Sequence, residues 1–243
     1  YVLHEIVHNK HVIADLETKG AIFVQSLEDI PSGGLCIFSA HGVSREIEKR
    51  AQQYGLRTVD ATCPLVSSIH RIVENYDRSG YEIIIIGHPK HPEVEGTAGR
   101  VDCSVHVVSN VAEAEALTLQ QPEKCGFVTQ TTLSQDDIVR IRAVLNRRFP
   151  NIRSSKSNTC YATQNRQDAV KRLAQKVDVV LVVGSKNSSN SNRLREVAEE
   201  SGIPAYLIDD SSYIEFAWLT EAAAIGITAG ASAPENLVNE VVD

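Results

Sequence analysis

The sequence predicts an α/β protein built from three similar lobes with mainly parallel sheets. Short apolar runs alternate with helical patterns along all 243 residues, as in βα units that feed parallel strands. One layout also occurs twice. The first copy runs Asp60-Ala61-Thr62-Cys63-Pro64, a helix-like segment, the apolar run Ile83–Ile86, Gly87-His88 and the polar loop His91-Pro92-Glu93. The second runs Asn158-Thr159-Cys160-Tyr161, a helix-like segment, Val179–Val183, Gly184-Ser185 and the polar loop Ser188-Ser189-Asn190. Cysteine and glycine are 24 residues apart in both copies, and such self-similarity marks repeated architecture. A third copy lies at the front, with His8-Asn9 as its first polar loop and His41 as its second.

Apolar runs and helical periodicity place the elements in order. The first lobe, residues 1–62, opens on the strand-like Tyr1-Val2-Leu3. It continues with helix His11–Thr18, strands Ala21–Gln25 and Leu35–Ser39, helix Arg45–Tyr54 and strand Arg57–Asp60. The second, 63–159, has helix Leu65–Asp77, strands Tyr81–Ile86 and Val105–Val108, helix Val111–Leu117, strand Gly126–Thr129 and helix Gln135–Arg148. Ser134 and Asp137 form a capping-box pattern at the start of that last helix, and Asn151–Thr159 reads as a connector. The third, 160–243, has helix Thr163–Gln175, strand Val179–Val183, helix Asn192–Ser201, strands Ala205–Ile208 and Ala223–Ile227, and helix Pro234–Val242. Gly55, Gly80 and Gly202 stand where helix C-terminal caps belong.

A chain that is 42% hydrophobic and 23% charged can bury a sizeable core. The net charge of −7 argues against a nucleic-acid footprint. No apolar run approaches a membrane span and no secretory signal opens the chain. Five cysteines, an odd number, fit a reducing cytoplasmic setting better than a disulfide scaffold. The chain has no methionine, even at position 1, and reads as a fragment or as incomplete at its front. The repeat sharpens this expectation. Cysteine precedes the first polar loop by 28 residues in both full copies, so a third cysteine is expected the same distance before His8, ahead of Tyr1.

In open α/β sheets ligands bind beyond the carboxyl ends of strands, where every polar loop named above falls. Cys63 and Cys160, each just before a helix, are thiolate ligands for an iron–sulfur cluster or simply small buried residues. Cys36 reads as core, and Cys103 and Cys125 match nothing in the repeat. His8, His41 and His91 hold equivalent loop positions and suit an anion, whereas a lone histidine is usually structural. His88 ranks lower, and His4, His11, His70 and His106 default to structural. Ser188, Ser189 and Asn190 offer hydroxyls, an amide and N–H groups for a phosphate, or are a helix cap with spare polar residues. Ser232 reads as another piece of that cradle. Glu93 is a general acid or an ordinary glutamate, and Thr131 and Thr132 are a proton relay or a strand end and cap.

Seven stretches together resemble the 4-hydroxy-3-methylbut-2-enyl diphosphate reductase family. They are His4–Asn9, Phe38–Ser44, Asp60–Val66, His91–Thr97, Thr129–Ser134, Gly184–Arg193 and Thr228–Pro234. The resemblance implies a trefoil of three α/β lobes around a central iron–sulfur and substrate site. It implies reductive dehydroxylation of an allylic diphosphate, the last step of the non-mevalonate isoprenoid pathway. It implies a [4Fe–4S] cluster held by three cysteines, two matching Cys63 and Cys160. The diphosphate falls to His8, His41, His91, Ser188, Ser189, Asn190 and Ser232. Glu93 matches the proton donor, aided by Thr131, and Thr131 and Thr132 match the threonines near the substrate hydroxyl. The family's Gly-Phe-Cys-Ala-Gly-like motif with the first cysteine is absent here. The implied electron donor is a small protein such as flavodoxin or ferredoxin, with no nucleic-acid or membrane partner. Two other classes stay open on the residues: a zinc-dependent phosphoesterase using His88, His91 and Glu93, and a non-catalytic diphosphate-binding fragment.

Overall fold

The computed structural model describes residues 1–154 and 160–243. It contains three sheets, parallel at every strand pairing. Strands β1 (Val2–Leu3), β2 (Phe23–Val24), β3 (Leu35–Phe38) and β4 (Arg57–Asp60) form the first, in the order β2-β1-β3-β4. Strands β5 (Glu82–Ile86), β6 (Val105–Val108), β7 (Cys125–Thr129) and β8 (Arg153–Ser154) form the second, in the order β6-β5-β7-β8. Strands β9 (Val179–Val183), β10 (Ala205–Ile208) and β11 (Ile225–Ala229) form the third, in the order β10-β9-β11. The same path is laid down three times. The chain enters near the middle, steps to one side, then returns to the other side of the first strand. Each reversal is a topological switch point, where a crevice opens at the carboxyl ends of the strands.

The helices are α1 (Lys10–Thr18), α2 (Arg45–Gln53), α3 (Pro64–Arg78), α4 (Pro92–Ala98), α5 (Val111–Ala116), α6 (Gln135–Arg148), α7 (Tyr161–Ala174), α8 (Ser189–Glu200) and α9 (Glu235–Val242). The chain divides into two compact units, one of Tyr1–Ile6 with Gly20–Thr159 and one of Val7–Lys19 with Cys160–Asp243. Among the described residues no helix is long and apolar enough to cross a membrane.

Every residue of β5, β7 and β9 is buried, because parallel sheets are covered on both faces. Alternation splits the isoleucines of β5. Ile84 and Ile86 pack with Phe127 against Ile138, Ile141 and Leu145 of α6. Ile83 and Ile85 pack with Val128 against Ile69 and Val73 of α3 and Val94 of α4. In the third sheet, Val180 and Val182 pack on Leu194 and Val197 of α8, whereas Leu181 and Val183 pack with Leu237 of α9.

The structure departs from the sequence reading in four places. Pro92–Ala98 is a helix, not a loop; His91 caps it and Pro92 pre-sets its first turn. Helix α8 begins at Ser189 rather than Asn192, because the Ser188 hydroxyl accepts the Ser191 N–H. The last strand is Ile225–Ala229 rather than Ala223–Ile227, since the Asp178 carboxylate accepts the N–H groups of Ala223 and Ala224. The expected connector contains the short strand β8, which pairs with β7. Its residues 155–159, including the Asn158-Thr159 of the repeat, lie outside the described residues.

Leu145 is fully buried between β7 and α6, whereas Val139 on the same helix is 64% exposed. Leu145→Ala is expected to cost about 2–5 kcal/mol in chemical denaturation. Val139→Ala is expected to stay within about 0.5 kcal/mol.

Candidate active site

The three first polar loops are helix N-termini. Asn9 caps α1, His91 caps α4 and Ser188 caps α8, each after the entering strand of its sheet. The second polar loops follow β3, β7 and β11, the strands on the other side of each switch point. Free N–H groups and the helix dipole favour negative charge at such termini.

In the first unit, Glu93 lies in the first turn of α4 and is 3% exposed. Its Oε1 accepts the Thr131 backbone N–H at 2.7 Å, and its Oε2 accepts the Thr131 hydroxyl at 2.7 Å. Burial pushes the carboxyl up from its ordinary 4.5 to about 7, against the opposing pull of the two Thr131 bonds. The His91 Nδ1 accepts the Glu93 backbone N–H at 3.2 Å, which leaves Nε2 to carry the ring proton. His41 meets His91 edge to face, with centroids 5.8 Å apart, and its Nδ1 stands 3.4 Å from the Ser39 hydroxyl.

Gln130 is a site residue that sequence reasoning passed over. Only 1% exposed, it accepts the His88 N–H and donates to the Thr132 hydroxyl, joining the loops after β5 and β7. Its place inside the Thr129–Thr132 stretch was the available signal. His70 is 7% exposed, and burial with the nearby Arg100 charge lowers it to about 4, in keeping with a structural role.

In the second unit, Ser188, Ser189 and Asn190 form the start of α8. Asn190 is 5% exposed, yet neither atom of its amide has a hydrogen-bond partner among the described residues. A buried polar group left this way awaits a ligand or water. Ser191, also passed over, explains two glycines. A Cβ at Gly184 would lie 2.2 Å from the Ser191 Oγ, and one at Gly230 would lie 2.1 Å from it. Both backbones must therefore lack side chains to close around α8. Ser232 donates to the His8 carbonyl at 3.5 Å, and the Asn9 side chain accepts the N–H groups of His11 and Val12.

Cys63 and Cys160 are the N-caps of α3 and α7, half-buried, and neither side chain makes a capping bond. The family resemblance gives these two positions to ligating sulfurs. The other three cysteines are unsuited to that role. Burial pushes Cys36 up, Cys125 up to about 11 and Cys103 up to about 12. Cys63 and Cys160 each offer an uncapped sulfur of the kind that a thiolate-bound cluster takes. Among the described residues no three His, Cys, Asp or Glu side chains form a metal set. Because His88 is exposed and Glu93 is buried and bonded to Thr131, the zinc reading of His88, His91 and Glu93 fails on geometry.

Two outcomes test this geometry. Glu93 binds its proton more tightly when folded, so the stability from this group falls as pH rises from about 4.5 to about 7. Glu93→Gln removes that loss, so denaturation midpoints of the variant are expected to gain on the parent between those values. Gly230→Ala displaces Ser191 and is expected to weaken pyrophosphate binding about tenfold or more by calorimetry, whereas unchanged affinity would clear the α8 terminus of that role.

The family model described as LytB protein matches residues 1–243. A Desulfotalea psychrophila protein named 4-hydroxy-3-methylbut-2-enyl diphosphate reductase is 62% identical over 242 residues, covering 100% of this chain and 77% of the relative. An Azoarcus protein of the same name is 54% identical, covering 100% of this chain and 78% of the relative. The solved E-1-hydroxy-2-methyl-but-2-enyl-4-diphosphate reductase of Plasmodium falciparum superposes with a TM-score of 0.97 at 39% identity, covering 100% of this chain and 76% of that one. The chain belongs to the LytB protein family.

Proposed function

We propose that this chain catalyses the reductive dehydroxylation of (E)-4-hydroxy-3-methylbut-2-enyl diphosphate to isopentenyl and dimethylallyl diphosphate, the last step of the non-mevalonate isoprenoid pathway. Its relatives carry the name of that reductase. The observation that carries the mechanism is Glu93, buried, poised near neutrality and bonded to the Thr131 hydroxyl. We take residues 1–62, 63–159 and 160–243 as the three repeat units, one sheet to each.

The reaction consumes two electrons and two protons. The allylic carbon–oxygen bond breaks, the hydroxyl leaves as water with one proton, and the hydrocarbon skeleton takes the other at either of two carbons. Glu93 supplies the first proton, since a carboxyl near 7 can hold and release one at working pH. With Glu93 protonated the 2.7 Å bond reverses: Oε2–H donates to the Thr131 hydroxyl oxygen as the Thr131 hydroxyl gives its own hydrogen to the substrate oxygen. Thr132, fixed by Gln130, holds the same end of the substrate.

The diphosphate falls to His8, His41, His91, Ser188, Ser189, Asn190 and Ser232. The His91 tautomer set by the Glu93 N–H presents Nε2 as a donor. The unpartnered Asn190 amide and the first N–H groups of α8 take further oxygens. Binding energy from this remote group positions the reacting carbon. A [4Fe–4S] cluster held by Cys63, Cys160 and one further ligand would supply the electrons and a Lewis-acid iron when bound. A small electron carrier of the flavodoxin or ferredoxin type would reduce it.

Glu93→Gln is expected to keep the cluster's visible absorption and lose about 100-fold or more in turnover; undiminished turnover would remove Glu93 from the proton path. Cys63→Ser, purified anaerobically, is expected to lose bound iron and sulfide by elemental analysis, and full retention of both would refute the ligand assignment.

A further inference from the structure

Outside the residues assigned above, the second unit holds a cavity of about 430 Å³, within the range of small-molecule sites. Its walls combine two chemistries. Tyr206 and Trp218 stack face to face, with centroids 4.0 Å apart and planes 3° apart, and Tyr213 stands beside them. Lys186 and Arg195 line the same space. The Arg195 Nε is buried without a hydrogen-bond partner and meets only the Glu199 carboxylate, at 3.8 Å, whereas the Lys186 ammonium makes no ion pair among the described residues. Glu215 is the single carboxylate in the lining. An inorganic anion would leave the aromatic wall unused, and a neutral ring would leave Lys186 unpaired and the long Arg195–Glu199 pair as the only neutralisation of Arg195.

We propose that this cavity binds an organic phosphate, with the phosphate on Lys186 and Arg195 and a flat or apolar body against the Tyr206–Trp218 pair. Nucleoside phosphates and short prenyl diphosphates share that chemistry. The cavity is also joined to the residues assigned to substrate diphosphate. Asn192, on its wall, donates through one amide nitrogen to the Lys186 carbonyl at 2.7 Å and the Ser188 carbonyl at 2.9 Å. Tyr213 accepts from the ammonium of Lys10, two residues after His8 in the chain, at 3.2 Å, and Lys10 also pairs with Asp209 at 3.1 Å. An occupant that draws on Lys186, Asn192 or Tyr213 therefore shifts the Ser188 and His8 segments. This coupling rests on the diphosphate reading of those segments; the cavity's own binding does not.

Trp218 is the only tryptophan in the chain, so its fluorescence reports on this cavity. The full chain is titrated with ADP, isopentenyl diphosphate and inorganic pyrophosphate. At least one organic phosphate is expected to give a saturable change at about tenfold lower concentration than pyrophosphate. A response to ADP alone identifies a nucleotide site, and one to isopentenyl diphosphate alone identifies a prenyl diphosphate site. Arg195→Gln and Lys186→Gln are each expected to raise the midpoint about tenfold. No saturable change with either organic phosphate would overturn the proposal. So would a signal lost in Asn190→Ala but intact in Arg195→Gln, which would place the ligand at the start of α8. A Trp218 response that survives Asn190→Ala stands even if the diphosphate assignment of that residue fails.

Discussion

One interaction organises the loops after β5 and β7 in the first unit: the double hydrogen bond from Thr131 to the buried Glu93 carboxylate. Removing water from a carboxyl raises its affinity for a proton, and each bond to its oxygens lowers it. Two bonds from a single residue offset only part of the burial, and the balance rests at about 7. The arrangement needs two segments distant in sequence to lie side by side. The parallel pairing of β5 with β7, with Ile86 opposite Thr129, provides that placement. Gln130 then fixes both loops, through His88 on one and Thr132 on the other.

The same strand order serves different chemistry in each sheet. Every entering strand delivers a helix N-terminus, and every returning strand delivers a second loop beside it. The decoration differs: His8 and Asn9 at α1, His91 and Glu93 at α4, Ser188 to Asn190 at α8. A buried carboxylate stands in the first turn at α4. At α8 the first turn carries hydroxyls and the Asn190 amide, which has no hydrogen-bond partner among the described residues. Repetition supplies the scaffold, and one or two side chains per repeat set the role.

Much of this was legible in the sequence. The equal spacing from cysteine to glycine and from cysteine to polar loop fixed the equivalence of Cys63 with Cys160 and of His91 with Ser188. Continuous apolar runs located β5 and β9, whose burial on both faces leaves no alternation to confuse the reading. The misses have physical causes. Helix α4 is seven residues long and contains Gly96, so it shows no helical period. Strand β8 is two exposed residues with no apolar signal. The start of α8 is set by a serine cap inside a polar run, where composition cannot separate loop from first turn. Gln130 and Ser191 each join a near segment to a distant one, Thr132 to His88 and Gly184 to Gly230, which no local pattern discloses.

The protonation state of Glu93 is the centre of this account, and infrared difference spectroscopy reads it directly. On raising the pH from 5 to 9, a protonated-carboxyl C=O band absent from Glu93→Gln is expected to disappear with a midpoint near 7. A carboxyl already ionised at pH 5, with no band that the variant removes, would contradict the account.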